Sequence, residues 1–145
     1  MPEASQPADL IGALIALLSA DAAVAADAAG YMFGGEIPES VSPEMPRRAI
    51  VLAKSGGPSL TGASFSMADT QRVDLFAYGA TPHEAEQLLT LAAFAFREAR
   101  RQERGGVLIH WINPAGGQTG GRTSGLAWPR AFQSFQVFHA LRMIA

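Results

Sequence analysis

Residues 71–104 read QRVDLFAYGATPHEAEQLLTLAAFAFREARRQER, and this stretch predicts a strand, a tight turn and a helix. Its first eight residues, through Tyr78, alternate polar and apolar side chains, as a half-buried strand with a period of two does. Gly79 is predicted to end the strand. The next residues, Thr81–Glu84, fit a capping box whose proline occupies the first helical position, where a missing N–H has no consequence. A helix is therefore predicted to begin here.

Apolar residues recur along this predicted helix at i, i+3 and i+4, so one stripe of the helix packs on the sheet. Leu91, Phe94 and Ala95 lie off that stripe, so the middle of the helix is apolar most of the way round. This predicts a second contact, either with another subunit or with a terminus or loop of the same chain. The charged residues Arg97–Arg104 are interpreted as the last turns of the helix, with a solvated face that ends at the glycines of positions 105 and 106.

The rest of the chain supplies two helices and further strands. Asp9 is a candidate N-cap for a helix with an apolar face over Leu10–Leu18, and Asp21 caps a short Ala-rich turn. Strands are predicted at 31–33, 48–53, 68–78, 107–112 and 129–141. The resulting order predicts a single α+β domain over residues 1–145, with a mostly antiparallel sheet of about four to five strands packed by helices on one face.

Two glycine-rich segments are predicted to be mobile loops. One runs from Ser55 to Ser64 and separates two predicted strands. The other runs from Gly116 to Gly125 and precedes the last strand. Glycine adopts backbone angles that other residues avoid, so such segments are flexible in isolation.

Composition excludes several classes of function. The chain has 145 residues, no cysteine and a formal net charge of −2. It therefore has no disulfide, no thiolate zinc site and no thiol nucleophile, and its charge does not mark it as a general nucleic-acid binder. The apolar stretch Leu10–Leu18 is too short to span a bilayer and lacks the basic segment of a signal peptide. The chain is expected to be soluble, made in the cytoplasm and free of membrane contact.

No catalytic pattern is found. His83, His110 and His139 are far apart in the sequence and none lies in a metal-binding frame. No serine lies in a nucleophile elbow, and the glycines of 116–125 lack the Lys-Ser or Lys-Thr of a phosphate-binding loop. The sequence therefore predicts a protein that is not an enzyme and has no cofactor or metal.

The arrangement of segments resembles the tail terminator, or tail completion, proteins of long-tailed phages and gene transfer agents. The segments that carry this resemblance are LIGAL at 10–14, GGEIP at 34–38, PRRAIVL at 46–52, RVDLFAYGATPHEAEQL at 72–88 and FQSFQV at 132–137. The resemblance implies a subunit of a hexameric ring at the tail–neck junction of a virion, made in the host cytoplasm. Such a ring stops tube polymerisation, binds the tail-tube protein on one side and a stopper or head-completion protein on the other, and lets DNA pass through its lumen. Two other classes of neck protein fit this mixture of helices and strands less well. Stoppers look like small β-barrels, and head–tail adaptors look nearly all-helical.

The mechanism of assembly is predicted to involve two kinds of contact. In a closed ring the interface is heterologous, so the outer face of the long helix meets a different surface of the next subunit. The predicted subunit interface consists of Leu91, Phe94 and Arg97. The predicted docking loops, which add strands to a neighbouring ring, contain Ser55, Gly57, Leu60, Gly117, Gly121 and Arg122.

A second class of function stays open: a small ligand-binding or enzymatic α+β domain. Its pocket would lie near His110 and Trp111, with Arg122 completing a polar and aromatic wall. A third possibility is a cytoplasmic oligomeric scaffold without any virus connection.

Overall fold

A computed structural model describes residues 7–57, 59, 67–122 and 128–143, in which three α-helices pack against a seven-stranded sheet. Residues 42–44 add one turn of 3₁₀ helix. The elements in chain order are α1 Leu10–Ala20, α2 Ala22–Ala28, β1 Met32–Gly34, β2 Ala49–Gly56, β3 Ala68–Tyr78, α3 Pro82–Glu98, β4 Arg100–Arg104, β5 Val107–Pro114, β6 Thr119–Arg122 and β7 Pro129–Ala140.

The sheet is mixed, and its strands follow the order β1-β2-β3-β7-β5-β4. β1 and β2 are parallel, and the other pairs are antiparallel. β6 pairs with the first residues of β7, beyond the end of β5, so both strands lie on the side of β7 opposite β3. The α+β class is confirmed, but the prediction of four to five strands is wrong because β4 and β6 were missed, and the sheet is not wholly antiparallel.

Residues 71–98 of the opening stretch form the predicted strand, turn and helix. β3 ends at Tyr78, and the Thr81 hydroxyl accepts a hydrogen bond from the Glu84 amide at 3.2 Å, as a capping box requires. Gly79 lies against the first turn of α3: a Cβ at this position would lie 2.6 Å from the backbone nitrogen of Ala85. Only glycine allows the helix to begin so close to the end of the strand.

The charged run after α3 is a strand, so the prediction of a solvated helix end over Arg97–Arg104 is wrong. The helix ends at Glu98, and β4 pairs with β5. Gly105 and Gly106 have φ angles of 56° and 83°, which suit the left-handed positions of a two-residue hairpin loop. This loop aligns Arg104 with Val107, so the hairpin overrides the helical propensity of the charged residues.

The main core lies between the helices and one face of the sheet. Phe96 of α3 meets Phe135 of β7 edge to face, with ring centroids 5.1 Å apart. Ala95, which the sequence placed outside the packing stripe, is buried. α2 also packs on α3. Phe94 is nevertheless 62% exposed, so within the described residues no terminus or loop of the same chain covers it. The largest fully buried side chains are Leu10, Leu14, Leu18, Ile50, Leu52, Leu75, Leu88, Leu89, Phe96, Ile109, Ile112 and Phe135.

The opposite face of the sheet, here called the outer face, is covered at one corner. There Ala49, Val51 and Tyr78 are buried beneath residues of the β1–β2 connection, including Ile37 and Met45. Elsewhere the outer face carries mostly half-buried or exposed side chains, with Ser134 buried beside Asp74. The prediction that helices cover one face only agrees with this arrangement.

A β-bulge in β5 changes which side chains face outward. Ile109 and Ile112 are both fully buried beneath the helices, although they are three positions apart and strict alternation would place them on opposite faces. The pairing shifts between Ile109 and Trp111, so His110 and Trp111 both reach the outer face. Simple alternation along this strand would have placed one of the two in the core.

His139 is buried on the helix-covered face, opposite Ile109. Burial among apolar groups lowers the pKa of its imidazole, and its Nδ1 lies 2.7 Å from the carbonyl oxygen of Ala140. The neutral ring is therefore the form that the folded chain favours.

We expect His139 to make stability fall in mild acid. Its pKa is lower in the folded chain than the value of 6.5 of an unperturbed histidine, so the unfolded chain binds a proton first as the pH drops. The stabilising contribution is complete above pH 6.5 and is lost progressively as the pH falls towards the folded-state pKa. Urea unfolding at several pH values should show a smaller acid-side decline for His139→Gln than for the wild type. His83→Gln, at an exposed position, is the control, and equal declines for wild type and His139→Gln would contradict this assignment.

Candidate functional site

One face of α3 is exposed along its whole length and forms a surface that we call the α3 stripe. The N-cap at Thr81 fixes where the helix begins, and thereby which side chains point away from the sheet. Phe94 is 62% exposed at the middle of this surface. The α3 stripe consists of the exposed residues His83, Gln87, Thr90, Phe94, Arg97 and Glu98.

The three residues predicted for the subunit interface differ in their exposure. Phe94 and Arg97 are exposed on the α3 stripe. Leu91 is half-buried at its border and packs against the main core. An exposed phenylalanine held on a rigid helix is the type of side chain that anchors protein contacts.

A groove of about 740 Å³ runs between α3 and the edge strand β6. We call it the α3–β6 groove. Its volume lies within the range of small-molecule sites, but most of its lining side chains are polar. It is lined by Asp27, Arg48, His83, Glu86, Gln87, Thr90, Leu91, Gln118, Thr119 and Gly120.

An ion-pair cluster closes one end of the groove. The Arg48 guanidinium pairs with Asp27 of α2, and its Nε donates to Glu84 Oε1 at 3.2 Å. The hydrogen bond to Glu84 raises the pKa of Arg48, and the charge of Asp27 acts in the same direction. One arginine thus joins α2, the start of β2 and the first turn of α3.

Replacing Arg48 by Ala should lower the free energy of unfolding by about 1–2 kcal/mol, because Asp27 would keep a partly desolvated carboxylate without its cation. The loss is smaller than for a fully buried pair, since the three side chains are 22–32% exposed. Urea denaturation measures it. Arg97→Ala is the matched control and should change stability by less than about 0.5 kcal/mol. Equal effects of the two substitutions would show that the ion-pair cluster contributes nothing to the free energy of unfolding.

Of the predicted docking loop after β2, the structure describes residues 55–57 and 59. Ser55 lies at the end of β2, and its hydroxyl donates to Asp74 Oδ1 at 3.1 Å. Gly57 follows with a φ of 91°. Leu60 lies outside the described residues. Its docking role, like that of Ser55 and Gly57, stays a prediction.

The second predicted loop contains a strand. Gly117 is exposed in the turn before β6, whereas Gly121 and Arg122 belong to β6 and pair with β7. The Arg122 side chain lies outside the described part of the structure. Within the described residues β6 pairs only with β7, so its other edge carries unpaired backbone groups of the kind that accept an added strand. The interpretation of this segment as a wholly mobile loop is wrong over 119–122.

The outer face of the sheet carries two aromatic clusters that sequence reasoning did not identify. Phe76 and Phe132 stack with centroids 5.5 Å apart, and the Arg130 guanidinium lies 4.8 Å from the centroid of the Phe76 ring. Trp111 contacts Phe138, with centroids 5.6 Å apart. The sequence signal that could have predicted these clusters is the aromatic residues at alternate positions of β3 and β7.

A polar strip separates the two clusters. Asp74 lies one position along the outer face from Phe76 and accepts hydrogen bonds from Ser55 and, at 2.5 Å, from Ser134. Arg72 follows on the same face and is exposed. The outer face therefore presents an aromatic pair, then an acid, then a base.

A pocket near His110 and Trp111 stays a prediction. Both rings pack on Phe138, and neither lines the α3–β6 groove. Arg122 pairs with Pro129 at the other end of β7, so roughly 30 Å of strand separates it from Phe138. The backbone of Arg122 is therefore far from His110 and Trp111.

The described residues contain no group of three or more His, Asp or Glu side chains placed to hold a metal ion. Within the same residues, no single helix is long and apolar enough to cross a membrane. α1 and α2 meet that criterion only as a pair bent by 99°, judged on length and composition.

Comparison with solved structures identifies a similar chain in the virion of a native gene transfer agent particle. The two chains superpose with a TM-score of 0.66 at 14% sequence identity, over 90% of this chain and 94% of the other. No family model matches the sequence, and no curated protein matches it significantly. The likeness shows that the two chains share a fold along nearly their whole lengths.

Proposed function

We propose that this chain is a virion structural protein that caps the tail tube as a ring, ends tube polymerisation and provides the surface to which the head is joined. The observation that carries this proposal is the fold shared with a chain of a gene transfer agent virion, because it extends over 90% of one chain and 94% of the other. The resemblance of five sequence segments to tail terminators narrows the role to the end of the tube.

The α3 stripe supports a subunit contact. A large aromatic side chain held exposed on a rigid helix can act as an anchor residue of an interface. Phe94, flanked by Leu91 and Arg97, has this setting. In a ring of six subunits each copy uses this surface once and a different surface once, and DNA passes through the lumen without base-specific contact.

The two faces of the ring bind different partners in this proposal. The exposed edge of β6 and the end of β2 near Ser55 and Gly57 supply backbone groups to the tail-tube protein or to the stopper on the other side. Strand addition suits β6 because, within the described residues, it pairs on one side only.

Electron microscopy of tail tubes mixed with the purified chain tests the role. The expected result is ring-shaped density at one end of most tubes, and tubes that stop growing once capped. Tubes kept without the chain are the control. Open tubes together with unbound chain would overturn the proposal and favour a ligand-binding protein, with the α3–β6 groove as the site to examine.

A further inference from the structure

We infer that the α3 stripe of one subunit packs on the outer sheet face of a second copy, with Phe94 seated on the Phe76–Phe132 stack. This inference rests on the proposed ring and names the two surfaces that join its subunits. The first surface is on the helix layer and the second is on the opposite side of the sheet, so no subunit can make this contact with itself.

The position of the two surfaces makes the contact heterologous. Each subunit would offer its helix to one neighbour and its sheet face to the other, as a closed ring requires. A symmetric contact between two α3 stripes would instead end as a dimer and would leave the aromatic sheet face uncovered.

The apolar groups of the two surfaces match. Phe94 is 62% exposed, and Phe76 and Phe132 are half-buried on a face that no helix covers. Aromatic rings stacked or edge to face gain more than the area that they bury, and buried aromatic anchors dominate protein interfaces.

The charges fix the direction of the helix. Arg97 and Glu98 lie one turn beyond Phe94, roughly 5–6 Å along the helix axis. Asp74 and then Arg72 follow Phe76 along the strand, at intervals of roughly 7 Å. With Phe94 on the aromatic pair, Arg97 meets Asp74 and Glu98 meets Arg72 within the reach of these long side chains.

The reverse direction is unfavourable. Arg130 lies over the Phe76 ring on the side away from Asp74. A helix turned end for end would bring Arg97 against Arg130, and like charges in contact oppose association. The outer face therefore accepts the helix in one direction only.

The absence of cysteine from the chain permits a direct test. Glu98→Cys and Arg72→Cys are combined in one chain, both at exposed positions, and a short bismaleimide reagent is added to tube-capping mixtures. The expected result is a ladder of cross-linked species on a denaturing gel that extends to the full ring. The single-cysteine variants should stay monomeric, because neither cysteine faces its own copy.

The possible results of this cross-linking experiment distinguish the inferred contact from other contacts between subunits. A ladder that appears only with the double variant supports the contact. Dimers from Glu98→Cys alone would show a symmetric contact between two helices. Capped tubes without a ladder would show that the ring uses a different contact. Either result overturns the inference but leaves the proposed function intact. Wild-type chain that neither caps tubes nor oligomerises would overturn both.

A charge reversal provides a second measurement that does not depend on cross-linking geometry. Arg97→Asp should lower the fraction of capped tubes about tenfold at limiting protein, because the new carboxylate faces the carboxylate of Asp74 in the neighbouring subunit. Adding Asp74→Arg in the same chain should restore capping. Failure of the double variant to recover, when circular dichroism shows that it is folded, would contradict the pairing.

Discussion

Replacing Phe94 by Asp will give a folded chain that no longer caps tube ends. The side chain is 62% exposed, so the substitution removes no core packing and should change the free energy of unfolding by less than about 0.5 kcal/mol. In the proposed ring the same change removes a central aromatic anchor and brings a carboxylate towards Asp74. Loss of such an anchor weakens association by about 2 kcal/mol or more, which is roughly 30-fold.

The measurement is the fraction of capped tubes as a function of protein concentration, with unfolding by urea recorded in parallel. Met67→Asp is the matched control, because Met67 is 76% exposed and lies outside the α3 stripe. The control should cap tubes as the wild type does. Normal capping by Phe94→Asp would remove the α3 stripe from the ring contact.

Replacing Phe96 by Ala should have the largest effect on stability of any substitution discussed for this chain. Phe96 is fully buried and meets Phe135 edge to face at 5.1 Å. Removing the ring leaves a cavity between α3 and β7, and changes of this kind lower the free energy of unfolding by about 3–5 kcal/mol. Urea denaturation of the isolated chain measures the loss.

Phe94→Ala is the matched control, since it removes the same side chain from the same helix two residues away. Its stability should lie within about 0.5 kcal/mol of the wild type. The two variants separate function from folding: one loses capping with an intact fold, the other loses stability. A loss below 1 kcal/mol for Phe96→Ala would show that the site collapses to fill the cavity.

The sequence predicted those elements whose signals are local. The alternation of β3, the N-cap at Thr81 and the apolar stripe of α3 each depend on neighbouring residues, and all three are present. The second half of the predicted capping box is not, because the Glu84 carboxylate pairs with Arg48 instead of the Thr81 amide. β4 was missed because its arginines and glutamate favour helix in isolation, whereas the Gly105-Gly106 turn and pairing with β5 decide the outcome. β6 was missed because glycines conceal a strand that exists only by pairing with β7.

Of the two surfaces in the inferred subunit contact, the sequence predicted only the one on α3. Helical periodicity alone placed Phe94 off the packing stripe, and the structure finds it exposed. The opposing surface needed tertiary information, because Phe76 and Phe132 are distant in sequence and meet only through the β3–β7 register. The bulge in β5, which sends both His110 and Trp111 outward, likewise depends on pairing that a single strand does not reveal.

The charged hairpin strand β4 also governs how free subunits behave when they are concentrated. An unpaired strand edge invites another molecule to extend the sheet, and repeated extension yields fibrils. β4 presents three arginines and one glutamate along such an edge. Two of these edges repel each other, so sheet extension at this end is opposed in solution. Because salt reduces the range of this repulsion to about 3 Å at 1 M, stocks of the protein should resist fibril formation best in dilute buffer.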